Sequence, residues 1–311
     1  MTTDEMKTTI TAIIDNEYGV RIYALLNNIG SLSIMRFIPD DYLLRCIGGM
    51  LERILRDTFL EEGTKLEAVE NIDNNQNVFY EISQNDEYRP FAFLDTFNTV
   101  TESYSEGNID QLMGFLFRFN VNDNAFWLYQ QIAYSQMIKR SKNLYAILSR
   151  DKVYTLLNKD VLKIESKIDC VIIGESIITK KIDLMQRSFH FEEYIRKEAE
   201  KTIQLIEEMD IVENLYRLIA LGERKALTNA KKLMKAKQSP VLRMRKDVLM
   251  SKLNNLPRYK DKWKIHDGKI LIQNQNEALE FLKMLNDDIL RSELTDTEYD
   301  SAVKTELPPL G

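Results

Sequence analysis

Fourteen lysines and arginines crowd the stretch from Gly222 to Lys264, opposed only by Glu223, Asp247 and Asp261, a local net charge of +11. The remaining residues carry 28 basic and 45 acidic side chains, net −17, so the whole-chain value of −6 conceals a cationic element on an acidic body. Cations at that density repel one another and call for a polyanion, nucleic acid first. On a helix expected over Glu223–Lys237, Ala226, Leu227, Ala230, Leu233 and Met234 form an apolar stripe. Arg224, Thr228, Lys231 and Lys235 step by four, three and four, with Lys225 and Lys232 beside them, so these cations share a face. In the next expected helix Arg243, Arg245, Lys246 and Lys252 surround Leu242, Leu249 and Leu253. The candidate DNA contacts are therefore Arg224, Lys225, Lys231, Lys232, Lys235, Arg243, Arg245, Lys246 and Lys252. Such contacts to phosphate are sequence-tolerant and weaken steeply as salt rises from about 50 to 200 mM. Exchange of Lys231, Lys232 and Lys235 for Glu is the variant this pattern singles out. Arg258, Lys260, Lys262 and Lys264 follow, with Tyr259 and Trp263 interleaved, which either stack on bases or pack in the core.

Other readings of the block stand beside this one. Phe189–Glu213 holds eight acidic residues against three basic ones, so a helical hairpin would neutralise part of the basic helix, although −5 does not cancel +11. An acidic protein face or anionic lipid headgroups would also match it.

Enzyme chemistry is sparse. The chain has no Gly-rich phosphate loop and no Ser nucleophile elbow. His190 and His266 are its two histidines, and neither has a partner at metal-ligand spacing, so no metal, cofactor or catalytic residue is assigned. His190, in Phe189-His190-Phe191-Glu192-Glu193, reads as a structural or capping residue. Glu165-Ser166-Lys167, with Asp151 or Asp160 upstream, superficially matches the acidic pattern by which some nucleases hold Mg²⁺ and activate water. A Mg²⁺-dependent nuclease using Glu165 and Lys167 is therefore the alternative, with exposed charge beside a strand the plainer account.

The elements that must position these residues follow from periodicity. Met6, Ile10, Ile13 and Ile14 mark a first helix, Gly19–Leu26 and Ser31–Ile38 a hairpin, and Pro39-Asp40-Asp41 opens a helix running to about Glu62. Val78–Ser83 reads as a short strand between two polar patches, and after Gly107 Met113–Asn120, Ala125–Ala133, Leu144–Ser149, Val153–Leu157, Cys170–Ile173 and Ser176–Lys180 read as strands of an antiparallel sheet. From Ser188 the pattern turns helical: one helix to Leu221, a second over Glu223–Lys237, and a third over Val241–Leu253 capped by Ser239-Pro240. A strand at Gly268–Ile272, a helix over Asn276–Leu290, a capped helix opened by Thr295-Asp296-Thr297-Glu298 and a frayed Leu307–Gly311 complete the chain. The fold class is α+β. A small N-terminal helix/hairpin/helix domain, residues 1–110, precedes an antiparallel sheet with a C-terminal helical subdomain, residues 111–311, with strands over 111–180 and the basic helical part over 188–307. No tandem repeat is visible.

Composition sets the class. Apolar content of 44% with 29% charged residues fits a folded protein of 311 residues, no apolar run reaches the roughly 18–20 residues that span a bilayer, and the start lacks the marks of a secretory signal. Cys46 and Cys170 give no disulfide framework, which fits a reducing cytoplasm, and both read as buried small hydrophobes.

Phe126-Trp127-Leu128-Tyr129-Gln130, Ile168-Asp169-Cys170-Val171-Ile172, Phe189-His190-Phe191-Glu192-Glu193-Tyr194 and Phe281-Leu282-Lys283-Met284-Leu285-Asn286-Asp287 carry a resemblance, joined by Leu294-Thr295-Asp296-Thr297-Glu298-Tyr299. Over roughly residues 110–307 the chain resembles the family of the cytoplasmic B subunit of the bacterial Kiwa anti-phage defence system, with Asp15–Leu25 a looser match. These are mostly packing and capping residues, and no functional motif is carried over. The resemblance implies a cytoplasmic DNA-binding effector without established catalytic residues. Such an effector works with a membrane-embedded Kiwa A subunit, which would hold it at the inner membrane, to block phage DNA replication and transcription. A regulatory adaptor for that membrane subunit is a further alternative. A homo-oligomer, as a dimer, is expected because two adjoining basic surfaces would clamp a duplex.

Overall fold

A computed structural model describes residues 1–15, 20–28, 30–71, 78–85, 87–121, 124–138, 147–150, 153–156, 161–256, 259, 262–291 and 298–300. The chain forms two compact units, one of residues 1–68 and 76–182, the other of residues 69–75 and 183–311.

In the first unit α1 (Thr3–Asp15) buries Met6, Ile10 and Ile13, the spacing read from sequence. The expected hairpin forms β1 (Arg21–Asn28) and β2 (Ser31–Phe37). α2 (Asp41–Phe59) is opened by Asp40, whose carboxylate accepts from the Leu43 N–H at 2.7 Å. β3 (Lys65–Ala68), β4 (Val78–Ser83), β5 (Leu112–Val121) and β6 (Asn124–Gln131) follow. Four short strands come next, β7 (Met137–Ile138), β8 (Ile147–Arg150), β9 (Val153–Leu156) and β10 (Val161–Leu162), β7 pairing with β10 and β8 with β9. β11 (Cys170–Ile173) and β12 (Ser176–Thr179) join the main sheet.

That sheet has eight strands in the order β2-β1-β5-β6-β11-β12-β4-β3, antiparallel except for the parallel pair β3 and β4. The fold is therefore α+β, with a mixed, mostly antiparallel sheet. Because β1 pairs with β5, Tyr23 opposite Leu116, strands from both sides of residue 110 share one sheet. The units part near Ile182 instead, and the division expected at residue 110 falls inside the first of them.

Both faces of the sheet are covered. Ile22, Ala24, Leu26, Phe115, Phe117 and Leu128 share a core with Ile10 of α1 and Ile47, Leu51 and Phe59 of α2. Trp127, from the other face, meets Phe97 edge-on at 5.3 Å, and Tyr129 meets Phe91 at 6.1 Å, both partners belonging to the 3-10 segment around Ala92–Thr99. With covers on both sides, β1 buries five consecutive residues, Ile22 to Leu26, in place of alternation. Gly114 is dictated by close approach, since a Cβ there would lie 2.3 Å from the Gln130 carbonyl oxygen and 2.6 Å from the Tyr129 ring. Gly48 and Gly49 in mid-α2 have no such cause: a Cβ at either meets nothing within 4 Å. Each weakens the helix by about 1 kcal/mol relative to Ala.

The second unit corrects several helix boundaries. After α3 (Ile182–Ser188), the single helix expected from Ser188 to Leu221 is α4 (Phe191–Glu208), β13 (Val212–Glu213) and α5 (Tyr216–Gly222). Asp210 and Asn214 end and redirect it at φ +53° and +66°, left-handed values that their short polar side chains tolerate. α6 (Thr228–Ala236) begins five residues later than expected. Ser239 caps as expected, its hydroxyl accepting from the Val241 N–H at 3.1 Å, but Pro240–Arg243 makes a 3-10 turn. Met244 and Arg245 are extended before α7 (Lys246–Asn255). β14 (Lys264–His266) and β15 (Lys269–Leu271) precede α8 (Gln275–Leu285), which stops before the expected Leu290 because Asp287 turns left-handed at φ +52°. β16 (Ile289–Arg291) pairs with β17 (Glu298–Asp300), so Glu298 belongs to a strand and not to the expected capped helix. Thr295–Thr297 and the Leu307–Gly311 tail lie outside the described residues.

α4 packs chiefly on α6, with Ile195, Ile203, Leu233, Met234 and Phe281 buried. Trp263 is buried, stacks on Tyr259 at 5.3 Å and meets Phe281 edge-on at 6.3 Å, the core alternative of the two read from sequence.

Candidate nucleic-acid interface

The turn between α5 and α6 is built by one arginine. Carbonyls at a helix C-terminus lack partners within the helix. Here Arg196 of α4 supplies them, its Nη1 donating to the carbonyls of Gly222 and Arg224 at 3.1 Å each and its Nη2 to that of Lys225 at 3.4 Å. The same guanidinium is steadied by Glu192 at 2.8 Å, one turn earlier. Carbonyls that a continuous helix from Glu223 would have used internally are thereby taken, and Arg224 and Lys225 sit on an exposed turn. Neither has an ion pair among the described residues. From sequence Arg196 is visible only as the i+4 partner of Glu192; its grip on the turn depends on the approach of α4.

The expected cationic face of α6 divides. Lys231, Lys232 and Lys235 are half-buried, and burial pushes the Lys231 ammonium below its ordinary range, with Asp183 partly opposing. Internal neutralisation is local: Glu198, its side chain 6% exposed, accepts from Lys237 at 2.6 Å and Lys201 at 2.8 Å. Burial alone would raise the Glu198 carboxyl, but those two hydrogen bonds outweigh it and hold the group below its ordinary 4.5.

A second set of cations follows Ser239. Arg243, in the 3-10 turn, and Lys252, on α7, are exposed and without an ion pair among the described residues. Arg245 pairs with Asp247 at 2.9 Å, but both side chains are largely exposed and the contact is worth little. Lys246 reaches Asp210 at 3.0 Å, and Asp210 also binds Lys269; the hydrogen bonds from Lys269 and then Lys246 draw its carboxyl below the usual range. Lys262 is committed to Glu280 at 2.6 Å, Lys264 is exposed, and Arg258 and Lys260 lie outside the described residues. Of the nine expected contacts, Arg224, Lys225, Arg243 and Lys252 thus combine exposure with an uncommitted charge.

The other chemical candidates are engaged differently. Glu165 pairs with Lys167 at 2.9 Å and Lys163 at 3.3 Å, and these bonds lower its carboxyl. Asp151 and Asp160 lie outside the described residues. Among the described residues no three His, Cys, Asp or Glu side chains are grouped to hold a metal. His190 occupies the N-cap position of α4 at φ +54°; of the structural or capping role expected of it, the side-chain cap bond is not made. His266 lies 3.2 Å from Glu213. Cys170 is buried, its thiol pushed well above its ordinary range by burial, whereas Cys46 is exposed, against expectation. No helix among the described residues is long and apolar enough to cross a membrane.

The chain aligns at 22% identity, over 99% of both proteins, with Kiwa protein KwaB of Escherichia coli O55:H7 (strain RM12579 / EPEC). No solved structure matches it. The pattern described as Kiwa protein KwaB-like matches residues 109–295, more than half of the chain, and takes in both β5, β6, β11 and β12 of the main sheet and the basic segment with its Arg196-held turn. By that match the chain belongs to the Kiwa protein KwaB-like family.

Proposed function

We propose that this protein binds duplex DNA with little sequence preference through the exposed cations of its second unit. Family membership supports a role in the Kiwa anti-phage defence system. In this reading the bound protein blocks phage DNA replication and transcription. It works from the cytoplasm as a homodimer and is held at the inner membrane by a membrane-embedded Kiwa A subunit. The carrying observation is the set Arg224, Lys225, Arg243 and Lys252, exposed and without ion pairs among the described residues, within a segment of net charge +11. Exposed guanidiniums and ammoniums on flexible stems, with Tyr259 and Trp263 engaged in stacking, favour phosphate contact over base readout. Binding is non-catalytic in this account, since Glu165 is already committed to two lysines.

Fluorescence anisotropy on two unrelated duplexes across about 50 to 200 mM salt tests the reading. Four phosphate contacts give a log–log slope of about −3.6, and two copies on one duplex about twice that. The two duplexes should bind alike, and the Arg224→Glu/Lys225→Glu/Arg243→Glu/Lys252→Glu protein should lose binding; unchanged affinity overturns the assignment. Duplex incubated with Mg²⁺ should remain intact. Cleavage abolished by Glu165→Gln would replace the non-catalytic account with the nuclease one.

A further inference from the structure

The first unit holds a second cationic feature, outside the set of cations assigned above to DNA. A cleft of about 620 Å³ opens beside α2, within the range of about 300–1,000 Å³ in which small-molecule sites fall. Arg45, Arg53, Lys167, Lys180 and Lys181 line it, against Asp57 and Asp169. Asp169 hardly offsets them, because its side chain is 2% exposed and bound by Lys181 and by the Gln131 N–H at 2.6 Å. Lys167 is shared with Glu165, and the Lys180 ammonium stands 4.5 Å from the centre of the Phe79 ring. Arg45 and Arg53 have no ion pair among the described residues.

The walls are shaped for access. Arg45, Gly49, Arg53 and Asp57 follow one another at four-residue steps and so share one face of α2, the two guanidinium-bearing residues about 12 Å apart along the axis. Between them Gly49 leaves the wall open, since nothing lies within 4 Å of where a Cβ would stand. A helix-weakening residue therefore occupies the centre of a cationic wall where no packing requires it. The opposite wall is anchored: Gln130, fully buried, donates through Nε2 to the carbonyls of Glu165 at 2.6 Å and Lys167 at 2.7 Å. Apolar contact comes from Met50, Ile54, Ile168 and Phe79, the last stacked on Phe59 at 4.3 Å.

Apolar surface beneath two uncommitted guanidiniums fits a ligand with a flat ring and several anionic oxygens. We propose that the cleft binds a nucleotide, its base on the apolar floor and its phosphates on Arg45, Arg53 and Lys180. This site is independent of the DNA-binding reading. The test titrates the full-length protein with a fluorescent ATP analogue, then with unlabelled ATP, GTP and dTTP, adenosine and inorganic tripolyphosphate. Saturable binding of at least one nucleotide is expected, weakened about tenfold or more by Arg45→Ala, Arg53→Ala and Gly49→Met. Thermal unfolding confirms that each variant is folded. If Gly49→Met disturbs the helix, the two exposed arginine positions carry the result. Four outcomes overturn the assignment: no saturable nucleotide binding, binding indifferent to the arginine variants, tripolyphosphate binding as tightly as any nucleotide, or displacement of the probe by duplex DNA. The last would make the cleft part of a DNA surface.

Discussion

The two units of this protein differ in how much charge they work into their packing: the sheet unit buries Asp169 against Lys181, and the helical unit does more. The sheet unit wraps an eight-stranded sheet in apolar side chains on both faces, and the cations of its cleft stand on or beside that frame. The helical unit works more charge into its packing: Glu198 is buried between two lysines, Lys231 is half-buried, and Arg196 ties a turn by its carbonyls. In the first unit apolar type mostly announces burial, with the buried Gln130 and Asp169 and the exposed Cys46 as exceptions. In the second, cations of one type are divided among structural pairing, partial burial and free exposure, and only the last group is available to a polyanion.

The sharpest break of this contrast lies in the sheet. Gly114→Ala should destabilise by about 3 kcal/mol or more, read by denaturant unfolding, because the added methyl meets backbone and a buried ring. Loss of less than about 1 kcal/mol would show that β5 and β6 have freedom the close approach denies them.

Glu198→Ala probes the buried charge of the helical unit and should cost about 2 kcal/mol at neutral pH. Because the folded carboxyl lies below its ordinary 4.5, its contribution is present above that value and is lost as pH falls through the lower folded value. Unfolding curves of wild type and variant should therefore converge in acid, and a gap that persists there would assign the effect to packing.

Next in size is the distinction between exposed and half-buried cations. Lys225→Ala and Arg243→Ala should each reduce the salt slope of DNA binding by about 0.9 and leave unfolding unchanged. Lys231→Ala should shift stability and barely move the slope, so equal slope changes from Lys231 and Lys225 would erase the distinction. The Lys231/Lys232/Lys235→Glu protein that periodicity singles out is a poorer test for this reason: three carboxylates at half-buried positions disturb packing as well as binding.

The smallest effect expected is from Arg196→Lys. It keeps the charge beside Glu192 but loses the fork that reaches three carbonyls, and should weaken DNA binding about threefold by loosening the turn that carries Arg224 and Lys225. Full affinity would show that the turn holds without it.

Much of the sheet unit is legible in the sequence. Cys170–Ile173 and Val78–Ser83 are strands with the expected bounds, and Asp40 caps α2 as its type and place require. Alternation, turn residues and caps are local, so short segments announce them. The helical unit was less legible because its decisive events are not local. A run with helical spacing from Ser188 to Leu221 is interrupted where Asp210 and Asn214 adopt left-handed backbone and Val212 pairs with Ile270, a residue distant in sequence.

The sequence by itself determined the α+β class, the charge asymmetry and the segment that carries it, since composition and short-range periodicity depend only on neighbours along the chain. Tertiary structure alone decided which cations remain uncommitted. A lysine's charge is the same in every sequence context, but its partner and its burial are set by helices and strands that approach it from elsewhere.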